Sequence, residues 1–146
     1  GSGAGLAVSC WPQPGSYYDS ADANILTVTV IEDTRGLEHI DEIAATPGID
    51  VLFIGTSDLS FSLGLRGKQG DPKLEDAIAK IVQAAQRNGK YLGRPAGTPE
   101  QVQKYRAQGF QFFQGPTELG LLASGAKQLL EPLSRKGVPE ESRSLY

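Results

Sequence analysis

The sequence predicts an α/β fold built on a parallel sheet. Three observations carry that prediction. Short apolar, β-branched or aromatic runs alternate with helical-period stretches four times between residues 25 and 133. Breakers such as Pro47-Gly48, Gly89 and Gly109 fall between the units. No antiparallel hairpin signal joins consecutive runs, and strand–helix alternation of this kind is the pattern of a parallel sheet.

Residues 1–24 are rich in Gly, Ser, Pro and aromatics and read as an irregular approach segment. The first strand is read at residues 25–31, whose β-branched, apolar run suits a strand covered on both faces. Residues 36–45 read as a helix with Leu37, Ile40, Ile43 and Ala44 on one face, stopped by Pro47-Gly48. Residues 51–54 are the second buried strand. Asp71-Pro72 has the form of an N-cap followed by proline at the first helical position. Leu74, Ile78, Ile81, Val82 and Ala85 then follow at helical spacing to Gly89. The charges of residues 66–90 read as a solvated helix face. Residues 90–93 form the third strand. Thr98-Pro99-Glu100-Gln101 is a capping-box pattern that opens a helix ending at Gly109. Residues 110–114 are the fourth strand, 119–133 the last amphipathic helix, and 134–146 a polar tail. Four such units fit either half of a (β/α)8 barrel or a small open sheet of flavodoxin type.

Composition narrows the function. The chain has 146 residues, 39% apolar and 21% charged, enough for one domain with a core. A net charge of −3 gives no electrostatic reason to expect nucleic acid or an anionic membrane. No apolar run approaches the roughly 20 residues of a membrane span. No secretory leader is recognisable, and a cytoplasmic protein is expected. One cysteine, Cys10, and one histidine, His39, exclude a zinc site made of His and Cys alone, so any metal would be held mainly by oxygen. Gly1-Ser2-Gly3-Ala4-Gly5 follows no strand and is not a dinucleotide fingerprint. Trp11, Tyr17 and Tyr18 suit either a subunit contact or a cover for one end of the sheet.

Two acids stand out. Glu32 directly follows the first strand and Asp58 follows the second. Both therefore fall at the C-terminal ends of neighbouring parallel strands, where α/β folds place their active sites. Neighbouring carboxylates repel unless something neutralises them, and a hard cation prefers a few carboxylates plus substrate oxygens and water. Helix capping is the alternative reading of each acid. Asp33 is the better capping candidate, because it precedes Thr34-Arg35 at a helix entrance.

Residues 30–64 resemble the signature of the HpcH/HpaI aldolase family. An acid follows a strand, a helix ends in Pro47-Gly48, and Asp50-Val51-Leu52-Phe53-Ile54-Gly55 leads to Asp58-Leu59-Ser60 and Ser62-Leu63-Gly64. Weaker similarity extends over residues 16–133. The resemblance implies the last four units of a TIM barrel and a class II aldolase cleaving a 4-hydroxy-2-oxo acid to pyruvate and an aldehyde. It implies Glu32 and Asp58 as ligands of Mg2+, Mn2+ or Co2+. It also implies that backbone amides of Gly55, Thr56 and Ser57, beside Asp58, bind the substrate carboxylate. Thr56 departs from the proline many relatives carry, and Val30 from the glutamine some of them place against pyruvate. The family's catalytic histidine and pyruvate-clamping arginine belong to the first barrel half, outside this chain. His39, read as mid-helix and exposed, is not their replacement. Arg94 ends the third strand and is a candidate anion contact for the aldehyde partner, or an ordinary surface arginine.

A truncated or partial aldolase chain is therefore expected, acting on a small 2-oxo acid. It would work as a homo-oligomer or with a complementing N-terminal half. The other readings are a non-catalytic half-barrel subunit or assembly module, and a citrate-lyase β-like acyl-CoA lyase, which needs a basic nucleotide patch that the sequence lacks.

Overall fold

The computed structural model describes residues 5–10 and 15–133. The polar tail expected at 134–146, the glycine-rich first residues 1–4 and Trp11 lie outside them. The strands are β1 (Val28–Ile31), β2 (Val51–Ile54), β3 (Tyr91–Pro95) and β4 (Phe112–Gln114), hydrogen-bonded in that order. Every pairing is parallel, with Val30 opposite Phe53, Phe53 opposite Gly93, and Gly93 opposite Phe112. Helices follow each strand, as the alternation predicts: α3 (Thr34–Glu38) and α4 (Ile40–Ala45), α5 (Thr56–Ser62) and α6 (Pro72–Arg87), α7 (Pro99–Ala107), and α8 (Glu118–Leu130) with a terminal 3-10 turn.

The core lies on one face of the sheet. Side chains alternate along a strand, so Ile31, Leu52, Ile54 and Leu92 share the face turned to the helices. They pack with Ile40 and Ala44 of α4 and with Leu74, Ile78, Ile81 and Ala85 of α6. Asp71 caps α6 by accepting from the Lys73 amide at 3.1 Å, as expected of Asp71-Pro72.

The opposite face carries Val30, Phe53, Gly93 and Phe112 in one register row. Gly93 has no room for a side chain: a Cβ there would lie 2.7 Å from Phe53 and 3.1 Å from Phe112, whose rings meet edge to face at 6.2 Å. This face is open at its flanks, where Val30 and Phe112 are exposed. The expectation that the first strand is covered on both faces is thus corrected. Its row of side chains would face a barrel interior, and the described residues close only half of that interior.

Other boundaries shift. Residues 1–24 are not wholly irregular, because α1 (Gly5–Cys10) and α2 (Tyr17–Asn24) form within them; Ser16 caps α2 by accepting from Tyr18. The single helix expected at 36–45 is broken at His39, where φ −97° and ψ 17° interrupt the helical path. The helix α5 occupies a stretch to which the sequence pattern assigns no element. The basic side chains of 66–90 are not simply solvated: Lys73 donates to Leu63 O, Lys80 to Leu37 O and Lys90 to Ile49 O, and Arg87 pairs with Asp41. The three lysine bonds fasten α6 and the residue after its C-terminal end to neighbouring backbone carbonyls, and the Arg87–Asp41 pair ties it to α4. Leu119, Leu122 and Leu129 of α8 are exposed, so the apolar side of this helix covers nothing among the described residues. No helix among those residues is long and apolar enough to cross a membrane.

Candidate active site

Parallel pairing of β1 and β2 brings the two singled-out acids to the same end of the sheet. Glu32 is the residue after β1, and Asp58 lies in the first turn of α5, directly beyond β2. Both are exposed and line one open cavity of about 1000 Å3. Neither caps a helix. Asp33 caps α3, accepting from the Gly36 amide at 2.7 Å, whereas the N-cap of α5 is Gly55, which offers no side-chain cap. Among the described residues neither Glu32 nor Asp58 makes a side-chain hydrogen bond or an ion pair. Two free carboxylates facing one cavity are a source of repulsion that a cation would relieve.

The donor set suits a hard divalent ion that keeps part of its water shell. No third His, Cys, Asp or Glu joins the two acids in a metal-sized cluster among the described residues, so substrate and water would complete the coordination. The space between the strand ends is kept by Gly55. A Cβ on Gly55 would stand 2.8 Å from Glu32 Cβ and 3.1 Å from Glu32 Oε2.

The segment after β2 leaves only some of its backbone amides free. The Gly55 amide is already used, donating to Ile31 O at 3.0 Å within the sheet. The amides of Thr56, Ser57 and Asp58 belong to the first turn of α5 and have no intrahelical acceptor. Gln69 holds the turn from above by donating to Thr56 O at 3.4 Å, and Ser60 Oγ holds it from within by donating to Ser57 O at 2.6 Å.

Arg94 lines the same cavity, but it arrives from the helix side. Gly93 faces the open row, so alternation turns Arg94 toward α7. It is 8% exposed. Its guanidinium carbon lies 3.6 Å from the centre of the Tyr105 ring and 5.2 Å from that of Phe110. Burial pushes its pKa down, opposed by the charge of Tyr105 and then of Glu75. Its Nε is buried with no hydrogen-bond partner. The reading of Arg94 as a surface arginine is therefore wrong. His39 is exposed, 3.5 Å from Glu42, and lines no part of the cavity.

Sequence reasoning missed Gln69, Glu75, Gln101, Lys104 and Tyr105 in the cavity wall. A readable signal existed on α7 and its C-cap, where Gln101, Lys104, Tyr105 and Gln108 recur at three- and four-residue intervals and so share a face. Thr98 caps that helix as expected, accepting from Gln101 at 3.3 Å. Gln101 Oε1, however, reaches back to the Gly97 amide rather than to that of Thr98.

The model of the HpcH/HpaI aldolase/citrate lyase family matches residues 3–124. The chain is 36% identical over 115 residues to a hydroxypyruvate/pyruvate aldolase of Paraburkholderia phytofirmans, covering 79% of this chain and 44% of that protein. It is 32% identical over 130 residues to a 2-dehydro-3,6-dideoxy-6-sulfogluconate aldolase of Pseudomonas putida, covering 89% and 51%. Among solved structures, an HpcH/HpaI aldolase/citrate lyase family protein from Burkholderia cenocepacia superposes with a TM-score of 0.75 at 32% identity, covering 80% of this chain and 46% of that one. The chain thus spans about half the length of the curated relatives it matches.

Proposed function

Because the chain belongs to the HpcH/HpaI aldolase/citrate lyase family, we propose that it carries the metal-binding half of an aldolase that cleaves a 4-hydroxy-2-oxo acid to pyruvate and an aldehyde. The observation that carries the reading is the unpartnered pair Glu32 and Asp58 at adjacent strand ends in one cavity. Their oxygens would hold Mg2+, Mn2+ or Co2+. Such an ion supplies Lewis acidity, stabilising the negative charge that develops on the 2-oxo acid as the carbon–carbon bond breaks.

The chain's own residues then orient the substrate. The open amides of Thr56 and Ser57 offer donors to its carboxylate, and the absence of a side chain at Gly55 lets it approach the acids closely. Acid–base help and a cationic clamp on pyruvate are assigned to a first barrel half. General acid–base help is worth about 10²–10⁴-fold, so this chain alone is expected to turn over negligibly, with at most weak metal-assisted oxaloacetate decarboxylation. The exposed row Val30 and Phe112 and the uncovered α8 favour association, either with a second copy or with a complementing N-terminal half.

The test is pyruvate release from a 4-hydroxy-2-oxo acid. The chain would be assayed alone and mixed with the separately produced N-terminal half of a full-length relative. Mn2+-dependent release only in the mixture supports the reading. Chelator-insensitive release, or none from a folded mixture, refutes it.

A further inference from the structure

Ser60 is 0% exposed, next to the equally buried Leu59 of α5, and lines no part of the cavity. A hydroxyl buried so completely needs a partner. Its Oγ donates to Ser57 O at 2.6 Å. Serine in a helix often bonds back to a carbonyl one turn earlier. Here that carbonyl belongs to the peptide that leads into Asp58. The bond adds to the one that such a carbonyl accepts within the helix, so the plane of this peptide is held twice. A peptide is planar and trans, so its C=O and N–H point in opposite directions. Holding Ser57 O toward Ser60 therefore turns the Asp58 N–H the other way and fixes the direction in which the chain enters Asp58. The far end of α5 secures Ser60 itself. The Leu65 amide donates to Ser60 O at 2.8 Å and the Gly64 amide to Phe61 O at 2.9 Å, a Schellman ending made possible by φ 80° at Gly64. The segment 63–71 then returns to the start of α5, where Gln69 Nε2 donates to Thr56 O at 3.4 Å. The two peptides that precede Asp58 are thus gripped by two side chains, one buried and one in the cavity wall.

We propose that Ser60 is a positioning residue for Asp58, acting through Ser57 O, with Gln69 as a second and weaker grip on the adjoining peptide. The proposal rests on the reading of Asp58 as a metal ligand. Ligating carboxylates are usually oriented by hydrogen bonds of their own. Asp58 is exposed and makes no side-chain hydrogen bond or ion pair among the described residues, so its backbone has to place it. That backbone is the part that Ser60 holds. Ser60 touches neither the ion nor the substrate.

The test compares the full chain with Ser60→Ala by three measurements: Mn2+ titration by calorimetry, the urea midpoint, and the NMR order parameter of the Asp58 amide without metal. Mn2+ affinity should fall at least about tenfold, the scale for removing a partner of a metal ligand. The urea midpoint should move little, because the higher helix propensity of alanine offsets the lost hydrogen bond. The Asp58 order parameter should drop below the value of about 0.85 typical of rigid backbone. A residue with a merely structural role would lower the midpoint and leave the other two unchanged. Gln69→Ala, at an exposed position, should weaken Mn2+ binding about threefold, since a long hydrogen bond is a weak one. Wild-type Mn2+ affinity in a folded Ser60→Ala chain overturns the proposal. If Ser60→Ala does not fold, Gln69→Ala decides, and wild-type affinity there overturns it as well. A wild-type chain that binds no Mn2+ sinks the metal reading instead. The Asp58 order parameter then judges the positioning alone: a drop in Ser60→Ala upholds it and an unchanged value overturns it.

Discussion

Gly55 lies directly against Glu32, so closely that a single methyl group at position 55 would stand 2.8 Å from Glu32 Cβ and 3.1 Å from Oε2. No pair of non-bonded carbons tolerates the first distance, so Gly55→Ala must move Glu32. The Gly55 amide is committed to Ile31 O, which limits how far the glycine side can yield. We expect Gly55→Ala to fold and to lose about 10–100-fold in Mn2+ affinity, the scale of displacing a group that positions a ligand. Calorimetric titration beside a circular dichroism spectrum checks this. Unchanged affinity would mean that Glu32 is not held in place for a metal.

Phe110 is 1% exposed and lies beneath Arg94 and beside Tyr105, the ring centres being 6.2 Å apart. Phe110→Ala is expected to destabilise the fold by about 3–5 kcal/mol. Urea unfolding followed by far-ultraviolet dichroism measures this effect. A change under 1 kcal/mol would show that this corner is not part of the core.

Glu100, in the first turn of α7, has its carboxyl pKa held below the usual glutamate value, first by a hydrogen bond from its own backbone amide and then by one from Thr98. A carboxylate with a lowered folded pKa stabilises above its unfolded pKa, about 4.3. That contribution fades as pH falls through the lower folded value. The N-terminus of α7 should therefore loosen below about pH 4. Glu100→Gln should remove this part of the acid dependence and lower neutral-pH stability slightly, toward that of the protonated wild type. A Glu100 carboxyl that titrates by NMR at or above the free-glutamate value would contradict the assignment.

The strands, their parallel order and the helix α6 were legible in the sequence because their signals are local: β-branched runs, an Asp-Pro start, apolar spacing and Gly89. The helix α5 was not, since its N-cap Gly55 offers no capping side chain and it carries Ser57, Ser60 and Ser62, which favour loops. The site was half legible. Glu32 and Asp58 could be placed because strand ends fix them. The environment of Arg94 could not, because Tyr105 and Phe110 reach it from different positions along the chain. Alternation from Gly93 alone would have turned it to the helix side.

Association is expected from what the described residues leave open. The edges of β1 and β4 are unpaired within the sheet, and Leu119, Leu122 and Leu129 of α8 are exposed. Sedimentation equilibrium should find species larger than the monomer at micromolar concentration. Leu122→Glu with Leu129→Glu should shift them toward monomer. A monodisperse wild-type monomer would refute this.

The most direct test is Mn2+ binding by the wild-type chain, Glu32→Gln and Asp58→Asn, followed by calorimetry or by the paramagnetic signal of free Mn2+. Each substitution removes one of two protein charges while keeping shape. Binding of one ion per chain in the wild type, weakened at least about tenfold in both variants, is the expected result. Equal Mn2+ affinity in all three proteins would contradict the account, because Glu32 and Asp58 would then hold no metal.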